Sequence, residues 1–298
     1  MRVRVGYGAG TQGLARDGDR FGELVDGLEQ VGFDSLWVSE RATGPIPDPM
    51  VALAFAAGRS RRIKLGTSVQ VLPGRNPLLL AKAWASLDRI SGGRALPAFG
   101  LGVVDPTEQQ AFGVTREERA AWFDEALPLV RRLWTEDTVD HDGPRFHYRG
   151  VSLGIQPVQQ PPDVWLGGRS PGELRRVGRL SDGWLPSFTT PAEAAAGRVV
   201  VEKAAEAAGR AIDPEHFGAL VLYARTGIPA AFLAAISARL RGVEPTDVIP
   251  VGLDRVRDRL EGFVAVGFSK LVLVPLEEPR SWMEELEDVA KAVFDLQT

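Results

Sequence analysis

IKLGTSVQVLPGRNPLLLAKAWASLDRISGGRALPAFGLG, residues 63–102, decides the fold. Residues 63–71 are mostly β-branched, apolar or small, the composition of a strand buried on both faces. Pro73-Gly74 then breaks the chain. Asn76-Pro77 opens a helix with proline in its first turn, where a missing N–H costs nothing. Leu80, Ala83, Trp84, Leu87 and Ile90 recur at helical spacing and give that helix an apolar face. Gly92-Gly93 ends it, and residues 95–102 are apolar until they close on Gly-Leu-Gly. The unit is strand, helix, parallel strand, which places function where the strands end.

The same grammar extends in both directions. Residues 2–8 read as a first strand, Phe21, Leu24, Val25, Leu28 and Val31 as a helix that Gly32 ends, and residues 35–40 as a second strand. Asp48-Pro49 opens the next helix, which runs to Arg59. Beyond the central unit, Phe123, Leu127, Val130 and Trp134 predict a helix over 115–135. A Thr115–Glu118 capping box would open it, and Pro128 would disturb it. Residues 136–162 carry scattered aromatics and His-Asp-Gly-Pro, and read as a β-hairpin insertion. Strands at 164–168, 183–188 and 220–224 follow, with helices over 170–180 and 191–208 between them. A second, partly helical insertion spans 227–252. A helix over 254–266, a strand at 270–275 and a helix burying Trp282, Leu286, Val289 and Val293 complete eight alternations. That is the count of a (β/α)8 TIM barrel, expected as one domain over residues 1–298 with two insertions.

Composition narrows the function. A hydrophobic content of 44% supplies a large core, and a net charge of −4 gives no basis for nucleic-acid or membrane-surface binding. No leader grammar and no apolar run of bilayer length is visible, so a cytoplasmic enzyme acting on a small molecule is expected. Without cysteine there are no disulfides, thiolate nucleophiles or Cys-ligated metals.

Gly8-Ala-Gly10-Thr-Gln-Gly13 matches a dinucleotide-binding fingerprint after a strand, with Glu40 where a ribose-binding acid would stand. The spacing argues against it. Arg16-Asp17-Gly18-Asp19 delays the helix too far for Gly10 to present amides to a pyrophosphate, so the run reads as a flexible first loop. Glu40-Arg41, at the end of strand two, suits either a surface ion pair or residues that orient a ligand. The strongest local chemistry is Trp165-Leu-Gly167-Gly168-Arg169-Ser170-Pro171-Gly172-Glu173. Two glycines let an anion approach the backbone, Ser170 and Glu173 form a capping box, and the helix start offers free N–H groups. Other barrel chemistries lack their residues. His141, His147 and His216 make no His-x-His strand end, no lysine sits at a strand's carboxyl end, and paired carboxylates are weak. Chemistry borrowed from a cofactor remains.

The pattern GTSVxVLPxRNPLLLAKxxASLDRxSGGR resembles the luciferase-like monooxygenase superfamily, particularly its deazaflavin (coenzyme F420)-dependent branch, over nearly the whole chain. The resemblance implies hydride transfer between F420 and a small organic substrate, and a homodimer. It implies a non-prolyl cis peptide at Ser68-Val69 behind the deazaflavin ring, and Gly102 among the cofactor-binding residues. It also implies that Gly167, Gly168, Arg169 and Ser170 hold the cofactor phosphate. The sugar-phosphate dehydrogenases of that branch carry a histidine base and a glutamate where this chain has Arg41 and Val103, so their particular activity is not expected. The catalytic candidates Glu40 and Arg41 then orient cofactor or substrate. Arg75 and Arg169 would welcome the acidic tail of F420. An FMN-dependent monooxygenase or reductase offers a phosphate to the same loop and stays open, as does a barrel that binds a small molecule without turnover.

Overall fold

Eight parallel strands form the frame of the computed structural model, which describes residues 1–13, 15–240 and 243–298. They are Arg4–Ala9, Ser35–Val38, Lys64–Thr67 continued by Gln70–Val71, and Ala95–Leu96 continued by Ala98–Gly100. Trp165–Leu166, Gly183–Trp184, Gly218–Tyr223 and Lys270–Pro275 follow. Pairing runs from the seventh strand through the eighth, first, second and third to the fourth, and from the fourth through the fifth to the sixth. Bridges Trp184↔Phe217 and Ser187↔Leu220 join the sixth to the seventh and complete the circuit. This is the TIM barrel that the alternation predicts.

Two apolar layers hold it. The outer one packs strands against helices, with Leu24, Leu53, Trp84, Leu127, Val177 and Leu286 among its buried members. The inner one fills the barrel and includes Trp37, Trp165, Leu185, Leu222, Val272 and Val274. Trp37 is fully buried, meets Trp165 edge-on at 6.4 Å, and donates its indole N–H to Ser35 Oγ at 2.8 Å. Glycines make its space. A Cβ on Gly6 would lie 2.9 Å from Trp37 Nε1, and one on Gly66 would lie 2.6 Å from Trp37 Cε3. A Cβ on Gly8 would lie 3.0 Å from the Trp37 carbonyl and 2.9 Å from Val274. Gly8, the first glycine of the dinucleotide-like fingerprint, thus belongs with Gly6 to the inward row of strand one, alternating as a strand must, while Gly13 lies in the loop beside Pro45. The helix after them begins only at Gly18, capped by Asp17.

Several expectations need correction. Strand 63–71 is interrupted at Ser68–Val69, where the peptide is cis as the resemblance implies, and strand 95–102 is interrupted at Pro97, which has no N–H for a ladder. The helix expected over 115–135 begins at Arg119 and runs through Pro128 to Thr135. Thr115 gives both its N–H and its hydroxyl to Glu118, at 3.2 and 2.8 Å, so that pair closes a turn ahead of the helix. An unforeseen helix, Pro106–Phe112, lies between, capped by Asp105 and ended by Gly113 at φ +64°. The first insertion contains the expected hairpin, Val139–Asp142 against His147–Val151. The second holds helices Ala230–Leu240 and Pro245–Val248, while its residues 241–242, like residue 14 of the first loop, lie outside the described residues. Among the described residues no helix is long and apolar enough to cross a membrane.

Overfilling the Trp37 site should destabilise the barrel. Gly66→Ala is expected to cost about 1–3 kcal/mol in urea denaturation. In a Trp37→Leu background the same change should cost clearly less, because the clashing ring is gone. Additive effects would show that Trp37 does not dictate glycine at this position.

Candidate active site at the barrel mouth

At the carboxyl ends of strands three, four and five, Val69 occupies a gap made by two glycines. A Cβ on Gly100 would lie 2.5 Å from Val69 Cγ2, and one on Gly167 would lie 3.3 Å from Val69 Cγ1. The Val69 methyls therefore rest where those side chains would be, and the residue forms a half-exposed apolar platform. Beside it, Ser39 Oγ donates to the Ser68 carbonyl at 3.1 Å and lies 3.3 Å from Ser68 Oγ. Gly102, at φ +80°, turns the chain away from strand four. Arg119 fixes that turn by donating Nη1 to the carbonyls of Leu101, Gly102 and Val103 at 3.2, 2.8 and 3.2 Å.

Glu40 and Arg41 point to different partners. Glu40 is buried, accepts the Val71 N–H at 2.6 Å and pairs with Arg75. Burial pushes its carboxyl up to about 6; Arg75 and the Val71 N–H oppose that, while Asp48 and Glu108 add to it. Arg41 lies 3.4 Å from Glu108, on the unforeseen helix Pro106–Phe112, and 3.6 Å from Asp105, which caps it. Glu108 also accepts the Thr43 hydroxyl at 2.6 Å and the N–H groups of Thr43 and Ala42 at 2.9 and 3.1 Å. Burial pushes Glu108 up, but those bonds and Arg41 outweigh it and hold its carboxyl below the ordinary value. Asp105-Pro106 was a readable helix start; that Glu108 would turn to another loop was not.

The strand-five loop has the predicted cap. Ser170 and Glu173 form a capping box at the start of helix Pro171–Leu180. The Glu173 carboxylate accepts the N–H groups of Arg169 and Ser170 at 3.1 and 2.9 Å, so both amides already have an anionic partner. Pro171 has no N–H, and Gly172 contributes one from a first turn that has no carbonyl of its own to bond it. Gly168 stands at φ +99°, where a Cβ would lie 2.7 Å from Glu173 Cβ. Arg169 donates Nη1 to the Phe188 carbonyl at 2.5 Å, and Phe188 itself holds a left-handed φ of +54°. Arg119 reaches this loop electrostatically: burial lowers its affinity for a proton, Arg116 adds to that, and Glu173 opposes it. The structure thus gathers Ser68, Val69, Gly102, Gly167, Gly168, Arg169 and Ser170 along adjacent strand ends. Arg119 and Glu108 are the residues sequence reasoning passed over.

The chain resembles known proteins over most of its length. The profile of the family described as luciferase-like monooxygenase matches residues 2–244. An F420-dependent glucose-6-phosphate dehydrogenase of Kineococcus radiotolerans is 31% identical over 196 residues, 61% of this chain and 56% of that protein. The chain spans little more than half the length of the curated relatives it matches. Among solved structures, an F420-dependent secondary alcohol dehydrogenase in complex with an F420–acetone adduct superposes with a TM-score of 0.82 at 19% identity, over 98% of this chain and 99% of that one. The oxygenating constituent of the FMN-bound 3,6-diketocamphane monooxygenase of Pseudomonas putida gives 0.79 at 18%, over 100% and 99%. At such identities the two structures speak to the fold alone.

Gly168 has two reasons to be glycine, its φ and the packing of Glu173. Gly168→Ala should therefore lose about 1–3 kcal/mol of stability without any ligand present. An unchanged denaturation midpoint would show that Glu173 moves aside freely.

Proposed function

The chain belongs to the luciferase-like monooxygenase family, and on that premise we propose that it is an F420-dependent oxidoreductase acting on a small organic substrate. The observation that carries the reading is the Val69 platform, seated on Gly100 and Gly167 at the mouth of the barrel. An apolar surface of that kind suits one face of a flat ring and leaves the other face to a substrate. When bound, the deazaflavin supplies the centre that gives or takes a hydride. The chain's residues would bind and orient: Val69 would back the ring, with the Ser39 and Ser68 hydroxyls paired beside it in the chain.

The donor set fits a phosphate. The Gly172 N–H at the helix start, Arg119, whose charge feels Glu173, and Arg169 in the loop would hold it, with the amides of Arg169 and Ser170 shared with Glu173. Gly167 and Gly168 keep side chains out of the approach. Glu40 and Arg41 act by position, since Arg41 cannot take a proton and lies beside two carboxylates. Oxidation of glucose 6-phosphate is not proposed, because Arg41 and Val103 stand where that activity would place a base and an acid.

FMN is the second reading, and one observation favours it. Arg75, which the sequence offered to the acidic tail of F420, is paired with Glu40, and Arg169 gives one N–H to Phe188. The preference for F420 then rests on the relatives that bear its name. Family membership also implies a homodimer, which sedimentation equilibrium would test.

Absorbance titration should show F420 binding more tightly than FMN. Micromolar binding of FMN with no detectable binding of F420 would place the chain on the flavin side. Arg119→Met should weaken the intact cofactor in a salt-dependent way and spare a ring fragment without phosphate. Equal weakening of both ligands would assign Arg119 to holding the strand-four turn alone.

A further inference from the structure

We infer that Glu40 and Arg75 are positioning residues that clamp Val71 and so hold the Val69 platform in place. This rests on the proposed function insofar as a cofactor ring is what lies on the platform.

The need for a clamp follows from the broken strand. Strand three pairs with strand two only as far as Val38↔Thr67, and the last backbone bond between them runs from the Ser68 N–H to the Val38 carbonyl at 2.8 Å. Beyond that point strand three pairs with strand four alone, through Gln70↔Phe99 and Val71↔Gly100. A buried N–H without a partner is costly. Here the Glu40 carboxylate takes the place of the missing strand: Oε2 accepts the Val71 N–H at 2.6 Å, while Oε1 meets the Arg75 guanidinium. Arg75 returns to the same residue, donating Nε to the Val71 carbonyl at 2.8 Å, and lies over the Phe112 ring at 5.7 Å. Both polar groups of Val71 are thereby gripped by one ion pair. Gln70, between Val71 and the platform, is tied outward by its side chain, which accepts the Trp84 indole N–H at 2.9 Å. With residues 70 and 71 fixed, Val69 is held toward Gly100 and Gly167.

The clamp has a titratable half. Around Glu40 stand Arg75 from the loop after strand three, Asp48 from the start of helix Pro49–Arg59, and Glu108 from helix Pro106–Phe112, with Arg41 and Asp105 next to Glu108. Burial and the two acids raise the Glu40 carboxyl to about 6. Above that pH the ion pair is intact. Below it Glu40 is neutral, Arg75 loses its counterion, and the grip on Val71 loosens. For stability the sign is opposite: the folded chain takes up this proton more readily than the unfolded one, so this group's contribution falls as pH rises between the ordinary carboxylate value and about 6.

The test has a readout that needs no cofactor. The Trp84 indole N–H signal, assigned by its loss in Trp84→Phe, should shift with a midpoint near pH 6 in the free wild-type protein and stay flat in Glu40→Gln. Titration with F420 and with FMN should then show wild-type affinity falling about tenfold from pH 7.5 to pH 5, the effect of one pKa unit of coupling. Glu40→Gln should bind weakly and without that pH dependence, and Arg75→Lys should recover part of what Arg75→Met loses. A wild-type Trp84 signal that is flat through pH 6 overturns the clamp, as does the same pH dependence of affinity in Glu40→Gln as in wild type. If Trp84 titrates but neither cofactor binds at pH 7.5, it is the cofactor-binding reading that falls.

Discussion

A tryptophan inside a closed barrel constrains everything around it. Protein interiors are packed near the density of organic crystals, so a ring the size of Trp37 fits inside only if facing residues give up their side chains. Gly6, Gly8 and Gly66 do so on the strands to either side, and Gly183 does the same for Trp165. The paired rings leave no pore, as in other barrels of this fold. Trp37 and Trp165 join Leu185, Leu222, Val272 and Val274 in the cluster that fills the barrel interior.

The same exchange of volume recurs at the mouth, where it leaves polar groups to be accounted for. Val69 enters the space of Gly100 and Gly167 because strand three breaks away from strand two. Each interruption of the ladder strands backbone groups, and a side chain answers each one. The Thr67 hydroxyl donates to the Ala98 carbonyl at 2.7 Å and accepts the Ala98 N–H at 3.0 Å, bridging the gap at Pro97. Glu40 accepts the N–H of Val71, and Arg119 takes three carbonyls of the strand-four turn. Residues that look catalytic from their place at a strand end are in part the repair of a sheet bent to make a site.

This explains which parts of the molecule were legible in the sequence. Period-two and period-3.6 patterns, capped by Ser170-Pro171 or Asn76-Pro77 and ended by Gly92 or Gly32, report local geometry, and local geometry is what a linear pattern encodes. The alternation of strands and helices, both insertions and the strand-five cap could be read directly. The glycine row of strand one was visible but ambiguous, since its meaning depends on a ring 31 positions beyond Gly6 in the chain. Glu108 was less accessible still. At the third position after the Asp105 cap it reads as an ordinary helix-start acid, yet its carboxylate serves Thr43 and Arg41 in a different loop. A side chain's choice between its own helix and a distant loop is a tertiary decision, and no local period records it.

The electrostatics of the mouth follow from the same commitments. Arg41 lies beside Asp105 and Glu108, Arg75 is paired with Glu40, and Arg119 gives one nitrogen to three carbonyls. Much of the positive charge that the sequence places near the site is thus engaged in holding loops. Affinity for a phosphate must then draw on dipoles as much as on formal charge, and the start of helix Pro171–Leu180 is where dipoles converge. The Glu173 carboxylate already accepts two amides there. It shapes the loop and would also repel an arriving anion, so under the proposed phosphate reading the loop is preorganised by a group that would compete with that ligand. A phosphate that takes the Gly172 N–H without displacing Glu173 would leave the capping box intact. One that displaces Glu173 gains two amides and gives up the cap, worth about 1 kcal/mol. The first course preserves Gly168 packed against Glu173, and the close approach of those two residues favours it.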